Sequence, residues 1–279
     1  MRSSPGETSD RTASLALQGI GVRFGGLIAL EGVSLDVPAG RIVGIIGPNG
    51  AGKTTLFNVV CGFVKPTSGT VLLNGEVVRP RPDQLTRMGI ARTLQGVGLF
   101  AGLTVLENVM TGATNSAKAG FGSAFFALPK SDSDERRLRA EAMTLLAELG
   151  VAAYAEAYPA ILPYALQKRV SIARALAARP RLLLLDEPAG GLGAEDIDEL
   201  VTLVSALTER PEGACTVMLV EHHMDFVMKV CQEIVVLDFG RVIASGTPAE
   251  IQQNPAVTEA YLGAEVDSQT LTPEETVTP

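Results

Sequence analysis

Along the first part of the chain apolar and polar positions alternate with a period of two. Leu15-x-Leu17, Ile28-x-Leu30 and Val33-x-Leu35-x-Val37 read as half-buried strands, and Gly25-Gly26 marks a turn between them. Ile42-Val43-Gly44-Ile45-Ile46 is instead a strongly apolar run, the pattern of a strand covered on both faces. Val71-Leu72-Leu73 and Val77-Val78 flank Asn74-Gly75, a two-residue hairpin signal, so an antiparallel β-layer is expected beside the strand at Ile42–Ile46. Ile90 to Leu94 is a further candidate strand, ending at Gln95. Thr104-Val-Leu-Glu107 has the spacing of a capping box and predicts a short helix through about Met110. Thr111 to Lys130 is small, glycine-rich and dotted with Phe121, Phe125 and Phe126, a loop or a docking surface. Ser131 to Leu149 predicts an amphipathic helix with Leu138, Met143, Leu145, Leu146 and Leu149 inward, ended by Gly150.

Helices and strands then alternate. A helix over 165–178 is followed by a strand at Arg181–Leu185, a helix over 194–207 and a strand at Thr216–Val220. A short helix after His223 and a strand at Ile234–Leu237 come next. Thr247-Pro248-x-Glu250 caps one more helix and Asn254-Pro255 opens another. The pattern as a whole predicts an α/β fold, with a parallel strand feeding a helix and an antiparallel β-subdomain at its side.

Between the apolar strand and the apolar helix that begins Leu56-Phe57 lies Gly47-Pro48-Asn49-Gly50-Ala51-Gly52-Lys53-Thr54-Thr55. Its spacing, Gly-x4-Gly-Lys-Thr, is that of a loop that cradles phosphate. The glycines let successive N–H groups turn toward one anion, and the helix that follows presents unpaired N–H groups and the positive end of its dipole. Lys53 is suited to bridge the β- and γ-phosphates, and the Thr54 hydroxyl to bind Mg²⁺. An ordinary glycine-rich turn would not require the strand–loop–helix context present here. Four leucines ending in Asp186-Glu187 form the second half of such a site. An acid at the end of a buried strand can hold the water shell of Mg²⁺, and Glu187 next to it can polarise a water for in-line attack.

Composition narrows the function classes. The chain has 279 residues, 46% of them apolar and 19% charged, a globular balance with room for one large domain or two modest ones. No apolar run approaches the roughly 18 residues that span a bilayer, and Met1–Asp10 is polar, unlike a secretory leader. A cytoplasmic protein that meets a membrane through a partner is expected. Cys61, Cys215 and Cys231 are widely spaced in apolar stretches, which suits reduced core thiols rather than a metal site. The net charge is −8, and the four acids of Ala264–Pro279 account for half of it. An acidic body argues against a nucleic-acid-binding surface. Met1–Ala13 and Ala264–Pro279 are expected to be disordered tails around a folded domain at 14–263.

The order of the remaining motifs is specific. Lys53 and Asp186 stand 133 residues apart, too far for a compact GTPase or small kinase. Between them lie Arg92-Thr93-Leu94-Gln95 and a segment from Leu162 to Leu176 that contains Ile172-Ala173-Arg174-Ala175-Leu176, and after them comes Glu221-His222. This order resembles the nucleotide-binding subunit of an ABC transporter over roughly Leu15 to Leu262. Phe24-Gly25-Gly26, Thr104-Val-Leu-Glu-Asn108 and Leu162-Pro163-Tyr164 are similar, more closely, to the branched-chain amino acid import ATPases. The resemblance implies a P-loop core with an antiparallel β-subdomain and a helical subdomain at about 96–178, ATP and Mg²⁺ as cofactors, and a dimer of ATPase subunits at the cytoplasmic membrane face. It implies that this dimer drives permease subunits, with an extracytoplasmic solute-binding protein acting indirectly. It also implies that Phe24 stacks on adenine, that Gln95 senses Mg²⁺ and the attacking water, and that His222 contacts the γ-phosphate and steadies Glu187.

Two elements depart from the family pattern. Ala165 stands where the family's signature has glycine, and Leu166 where it has glutamine. A Cβ at the first position is strained if φ is positive, and leucine at the second cannot hydrogen-bond. Gly193 likewise stands where Asn or Asp is usual. All three face a partner's nucleotide in the family's dimer, whereas Lys53, Thr54, Gln95, Asp186, Glu187 and His222 serve the chain's own. One expectation is an asymmetric pair with a partner ATPase; the other is tolerated drift, because helix N–H groups still attract anions. Two rival functions stay open here, a soluble non-transport ABC ATPase and a regulatory subunit that binds ATP but turns over weakly.

Overall fold

The alternating segments form two long strands, β1 (Leu15–Phe24) and β2 (Leu27–Val37), paired antiparallel. The computed structural model that shows them describes residues 14–93, 96–113, 129–210 and 214–261, with only the backbone described at 129–133. The phosphate-loop strand is β3 (Ile42–Ile46), and α1 (Lys53–Val60) follows it. β4 (Ser68–Leu73) pairs antiparallel with β1, and β5 (Glu76–Val78) returns on it, giving the order β2-β1-β4-β5. Asn74 and Gly75 join these last two with φ of 53° and 80°, as the mirror-image hairpin turn requires.

A second sheet holds β3 at its centre in the order β10-β9-β3-β8-β7-β6. Its strands are β6 (Ile90–Arg92), β7 (Leu182–Asp186), β8 (Thr216–Val220), β9 (Glu233–Asp238) and β10 (Arg241–Gly246). β6, β7, β8, β3 and β9 run parallel, and β10 is an antiparallel edge. That last strand is not evident from the pattern. Its apolar residues are consecutive, and the turn before it, Phe239-Gly240 with φ of 41° and 77°, lacks the Asn-Gly signal.

Because the parallel strands are covered on both faces, their side chains divide between two apolar clusters. Val43, Ile45, Leu182, Leu184, Met218 and Val220 face the antiparallel sheet and the buried side of α1. Ile42, Ile46, Leu183, Leu185, Val217 and Leu219 face the helices. Those helices are α2 (Val105–Gly112), α3 (Pro129–Glu148), α4 (Tyr164–Ala177), α5 (Ala194–Ala206), α6 (Met224–Val230) and α7 (Pro248–Gln252), and residues 255–261 are also helical. Leu145, Leu146 and Leu149 are buried as the periodicity predicts, Leu138 and Met143 pack at the margin, and Gly150 ends the segment with φ of 70°.

Both capping boxes form, at Thr104/Glu107 and Thr247/Glu250. The buried Asn108 adds a cross-link: its amide donates to the carbonyls of Phe100, Leu103 and Thr104 and accepts from the Phe100 N–H. It thereby fixes the loop that precedes α2. Phe121, Phe125, Phe126 and the two tails lie outside the described residues, and no helix among those described is long and apolar enough to cross a membrane.

Gly112 is where α2 crosses α4. A Cβ there would sit 1.9 Å from the backbone oxygen of Arg174, which cannot move without the helix. Gly112→Ala is expected to destabilise the chain by about 1–3 kcal/mol in urea titration. All three cysteines are buried, and desolvation pushes the thiol of Cys61 up to about 11 and those of Cys215 and Cys231 to about 12. Alkylation at pH 8 should therefore be slow in the native chain and fast once it is unfolded.

Candidate nucleotide site

β3 stops at Ile46 because Gly47 turns with φ of 149°, and α1 starts only after Gly52, at φ of 102°. The two glycines are held by close packing. A Cβ on Gly47 would lie 2.0 Å from the Leu237 carbonyl oxygen, and one on Gly52 would lie 2.8 Å from that of Ala29. Ala51 is buried, and its carbonyl accepts from the Gly240 N–H at 3.0 Å, so the β9–β10 turn buttresses the loop from behind. Gly47 and Pro48 are buried, while Asn49, Gly50 and Thr54 are exposed and Thr55 half-buried.

The half-buried Lys53 folds over this loop and donates from Nζ to the carbonyls of Gly47 (2.6 Å) and Pro48 (2.9 Å). Burial holds its amine below the usual lysine range, and the carboxylate of Glu187 opposes that shift. The loop after β3 and the acidic end of β7 leave the same edge of the sheet, on either side of β8.

Asp186 ends β7 with 5% of its surface exposed. Its backbone N–H donates to the Thr93 hydroxyl at 3.1 Å, and its Oδ2 accepts from Arg92 at 3.1 Å. Burial raises its carboxyl above the usual range, and the Arg92 guanidinium pulls it back. Arg92 in turn donates to Asn58 Oδ1 at 3.3 Å and lies over the rings of Phe57 and Phe63, 5.1 and 5.3 Å from their centroids. One side chain therefore ties β6, α1 and β7 together.

Glu187 departs from the strand with φ of 48°, a left-handed conformation uncommon for a residue with a Cβ. Its N–H donates to the Val220 carbonyl at 2.9 Å, and its own carbonyl accepts from Gly190 N at 3.2 Å and from Lys168 Nζ at 2.6 Å. On the neighbouring strand end Glu221 is fully buried. Its Oε1 accepts from Ala189 N at 2.6 Å and its Oε2 from the N–H groups of His222 and His223 at 2.8 and 3.0 Å. That carboxylate holds the backbone at His222, whose ring Nδ1 stands 4.0 Å from Glu187 Oε1 and 3.7 Å from Glu221 Oε2. His223 is the N-cap of α6.

Phe24 is half-exposed at the end of β1, and Gln95 lies outside the described residues. Ala165 is in the first turn of α4 and is not among the positive-φ residues, so its Cβ costs no backbone strain. Leu166 packs against the helix-side cluster, and Gln167 donates back to the Leu162 carbonyl at 2.9 Å. Gly193 caps α5 through its backbone alone, with Glu195 and Asp196 in the first turn to complement the dipole.

Arg92, Lys168 and Glu221 are parts of this cluster that spacing did not single out for a role. Their only trace in the sequence is charge beside apolar runs. For magnesium, the Thr54 hydroxyl and the Asp186 carboxylate are hard oxygen donors of the kind Mg²⁺ takes, and Asp186 has an oxygen beyond the one given to Arg92, so the residues fit the ion.

Residues 30–190 match the family model "ABC transporter", and 241–267 match "Branched-chain amino acid ATP-binding cassette transporter". The chain is 41% identical over 250 residues to the high-affinity branched-chain amino acid transport ATP-binding protein BraF of Pseudomonas aeruginosa, covering 89% of this chain and 97% of that protein. It is 40% identical over the same length to LivG of Escherichia coli, with the same coverage. Among solved structures, a nucleotide-free ATP-binding cassette from an ABC transporter superposes with a TM-score of 0.75 at 29% identity, covering 90% of this chain and 99% of the other. A dimeric bacterial ABC transporter cassette gives 0.69 at 26%, covering 84% and 98%.

Arg92→Met should leave Asp186 as a buried, unpaired carboxylate and lower stability by about 3 kcal/mol in denaturant titration. Adding Asp186→Asn should restore part of that loss.

Proposed function

The chain belongs to the ABC transporter family, as an ATP-hydrolysing transport subunit peripheral to the membrane, and we propose that it powers uptake of branched-chain or related amino acids or amides. The observation that carries this reading is that the loop Gly47–Thr55 and the Asp186-Glu187 strand end leave the same edge of the parallel sheet, on either side of β8. The printed functions of BraF and LivG supply the substrate class.

In this reading residues 14–263 are one ATPase unit whose helical part, about 96–178, rides on the helix-side core. The loop Gly47–Thr55 binds the phosphates, and Lys53 exchanges its two carbonyl acceptors for phosphate oxygens. Phe24 stacks on the adenine. Thr54, Asp186 and Gln95 would hold Mg²⁺, which supplies charge neutralisation on the phosphates. Glu187 orients and polarises the water for in-line attack, and His222, set by Glu221, hydrogen-bonds at the same place. ATP binding closes a pair of ATPase subunits against permease subunits on the cytoplasmic face, and hydrolysis reopens it.

The pair is an asymmetric one. Leu166, partly buried against the helix-side cluster, offers the partner's nucleotide no amide, so this chain's own loop does the hydrolysis against a partner's signature. Leu166 also favours the second reading, a weakly active regulatory subunit; Glu187, at the end of the buried strand β7, favours turnover.

In the assembled transporter, Lys53→Ala is expected to remove MgATP binding, and Glu187→Gln to cut turnover by about 100-fold or more. Substituting the partner's base should leave this chain's turnover in place. Turnover that survives Glu187→Gln and vanishes with the partner's base would reverse the assignment, and normal ATP affinity in Lys53→Ala would remove the phosphate-loop reading.

A further inference from the structure

Lys168 has an environment that core packing does not explain. It lies in the second turn of α4 with 5% of its surface exposed, and its ammonium sits 5.5 Å from the centre of the Tyr164 ring. Burying a charged amine is costly, and a leucine or methionine would fill the same space without that cost. The amine faces three carboxylates, those of Glu221, Glu187 and Asp186, while burial presses its affinity for the proton down. Its hydrogen bond, at 2.6 Å, goes to none of them. It goes to the backbone carbonyl of Glu187.

That carbonyl belongs to the one residue of the acidic pair whose backbone is left-handed. A backbone held in a sparsely populated region persists only where its surroundings over-determine it. Here the peptide on one side is tied to Val220 and the carbonyl on the other to Gly190 and Lys168. The Lys168 bond is the short, charge-assisted member of the set. Rotating the Glu187 carbonyl away would swing the Cα–Cβ bond and with it the carboxylate.

We propose that Lys168 is a positioning residue for hydrolysis, gripping the Glu187 carbonyl so that α4 aims this chain's own glutamate at its own nucleotide. This rests on the reading of Glu187 as the hydrolytic base. It gives α4 two separate tasks. Its first turn faces the partner's nucleotide, where Ala165 and Leu166 depart from the family pattern. Its second turn reaches inward to Glu187. The helix thus acts in cis even where its trans contribution is reduced, and a shift of α4 on closure is delivered to the base.

The test uses the assembled transporter with the partner ATPase's base substituted, so that only this chain's site turns over, together with equilibrium MgATP binding. Lys168→Met should lower kcat by at least about tenfold while KM and ATP affinity stay within about twofold. Lys168→Arg, which keeps a donor and a charge, should recover most of kcat. A general packing defect would instead lower affinity and kcat together and would not distinguish arginine from methionine; that outcome overturns the inference. So does wild-type kcat in Lys168→Met. Should the methionine variant fail to assemble, Lys168→Gln takes its place, and wild-type kcat there together with a low kcat in Lys168→Arg would also overturn it. Absence of turnover in the wild-type complex would instead show that the underlying ATPase reading had failed.

Discussion

A parallel sheet covered on both faces has no room for charge except at its strand ends, and that constraint organises this protein. β3, β7 and β8 are apolar throughout their length, apart from the last residue of β7 and the buried Thr216. Each stops where its chemistry begins, at Gly47, Asp186-Glu187 and Glu221-His222. Because the strands run in the same direction, these three ends share one edge. Residues far apart in the chain are therefore neighbours there, and the two apolar clusters on either side exclude water from all but the outer rim.

Gathering charge at such an edge has an electrostatic cost that the structure offsets by pairing. Asp186 is matched by Arg92, and the buried carboxylate of Glu221 by three backbone N–H groups. Lys53 and Lys168 both give their donors to carbonyl oxygens while lying among carboxylates. Each buried charge thereby fixes a piece of backbone, whether loop, strand end or helix. The strand ends are thereby held by their own hydrogen bonds and ion pairs, while Lys53 is engaged with the loop's carbonyls.

The departures at Ala165, Leu166 and Gly193 are accommodated without distortion. Ala165 and Leu166 begin a regular helix, and Gly193 still caps α5 through its backbone. What they change is the side-chain chemistry at the start of α4 and of α5. The elements around Lys53, Asp186 and Glu187 keep their family residues, and this contrast is what the proposal of an asymmetric pair rests on.

The sequence alone determined most of this. Period-two alternation, the Asn74-Gly75 turn, two capping boxes and the Gly-x4-Gly-Lys-Thr spacing are local signals, written within a few residues and enforced by backbone sterics and hydrogen bonding. They placed the phosphate-type loop, the acidic strand end and nearly all the helices. Strand β10 escaped because its residues carry no alternation and its turn no Asn-Gly signal. The tertiary structure alone decided that Arg92 pairs with Asp186, that Glu221 is a buried acceptor for the His222 and His223 N–H groups, that Leu166 packs at the margin of the helix-side core, and that Lys168 reaches Glu187. Those facts depend on which strand ends and helix faces meet across long stretches of chain, and a charged residue in a linear pattern gives no sign of whether water or a distant backbone carbonyl will be its partner.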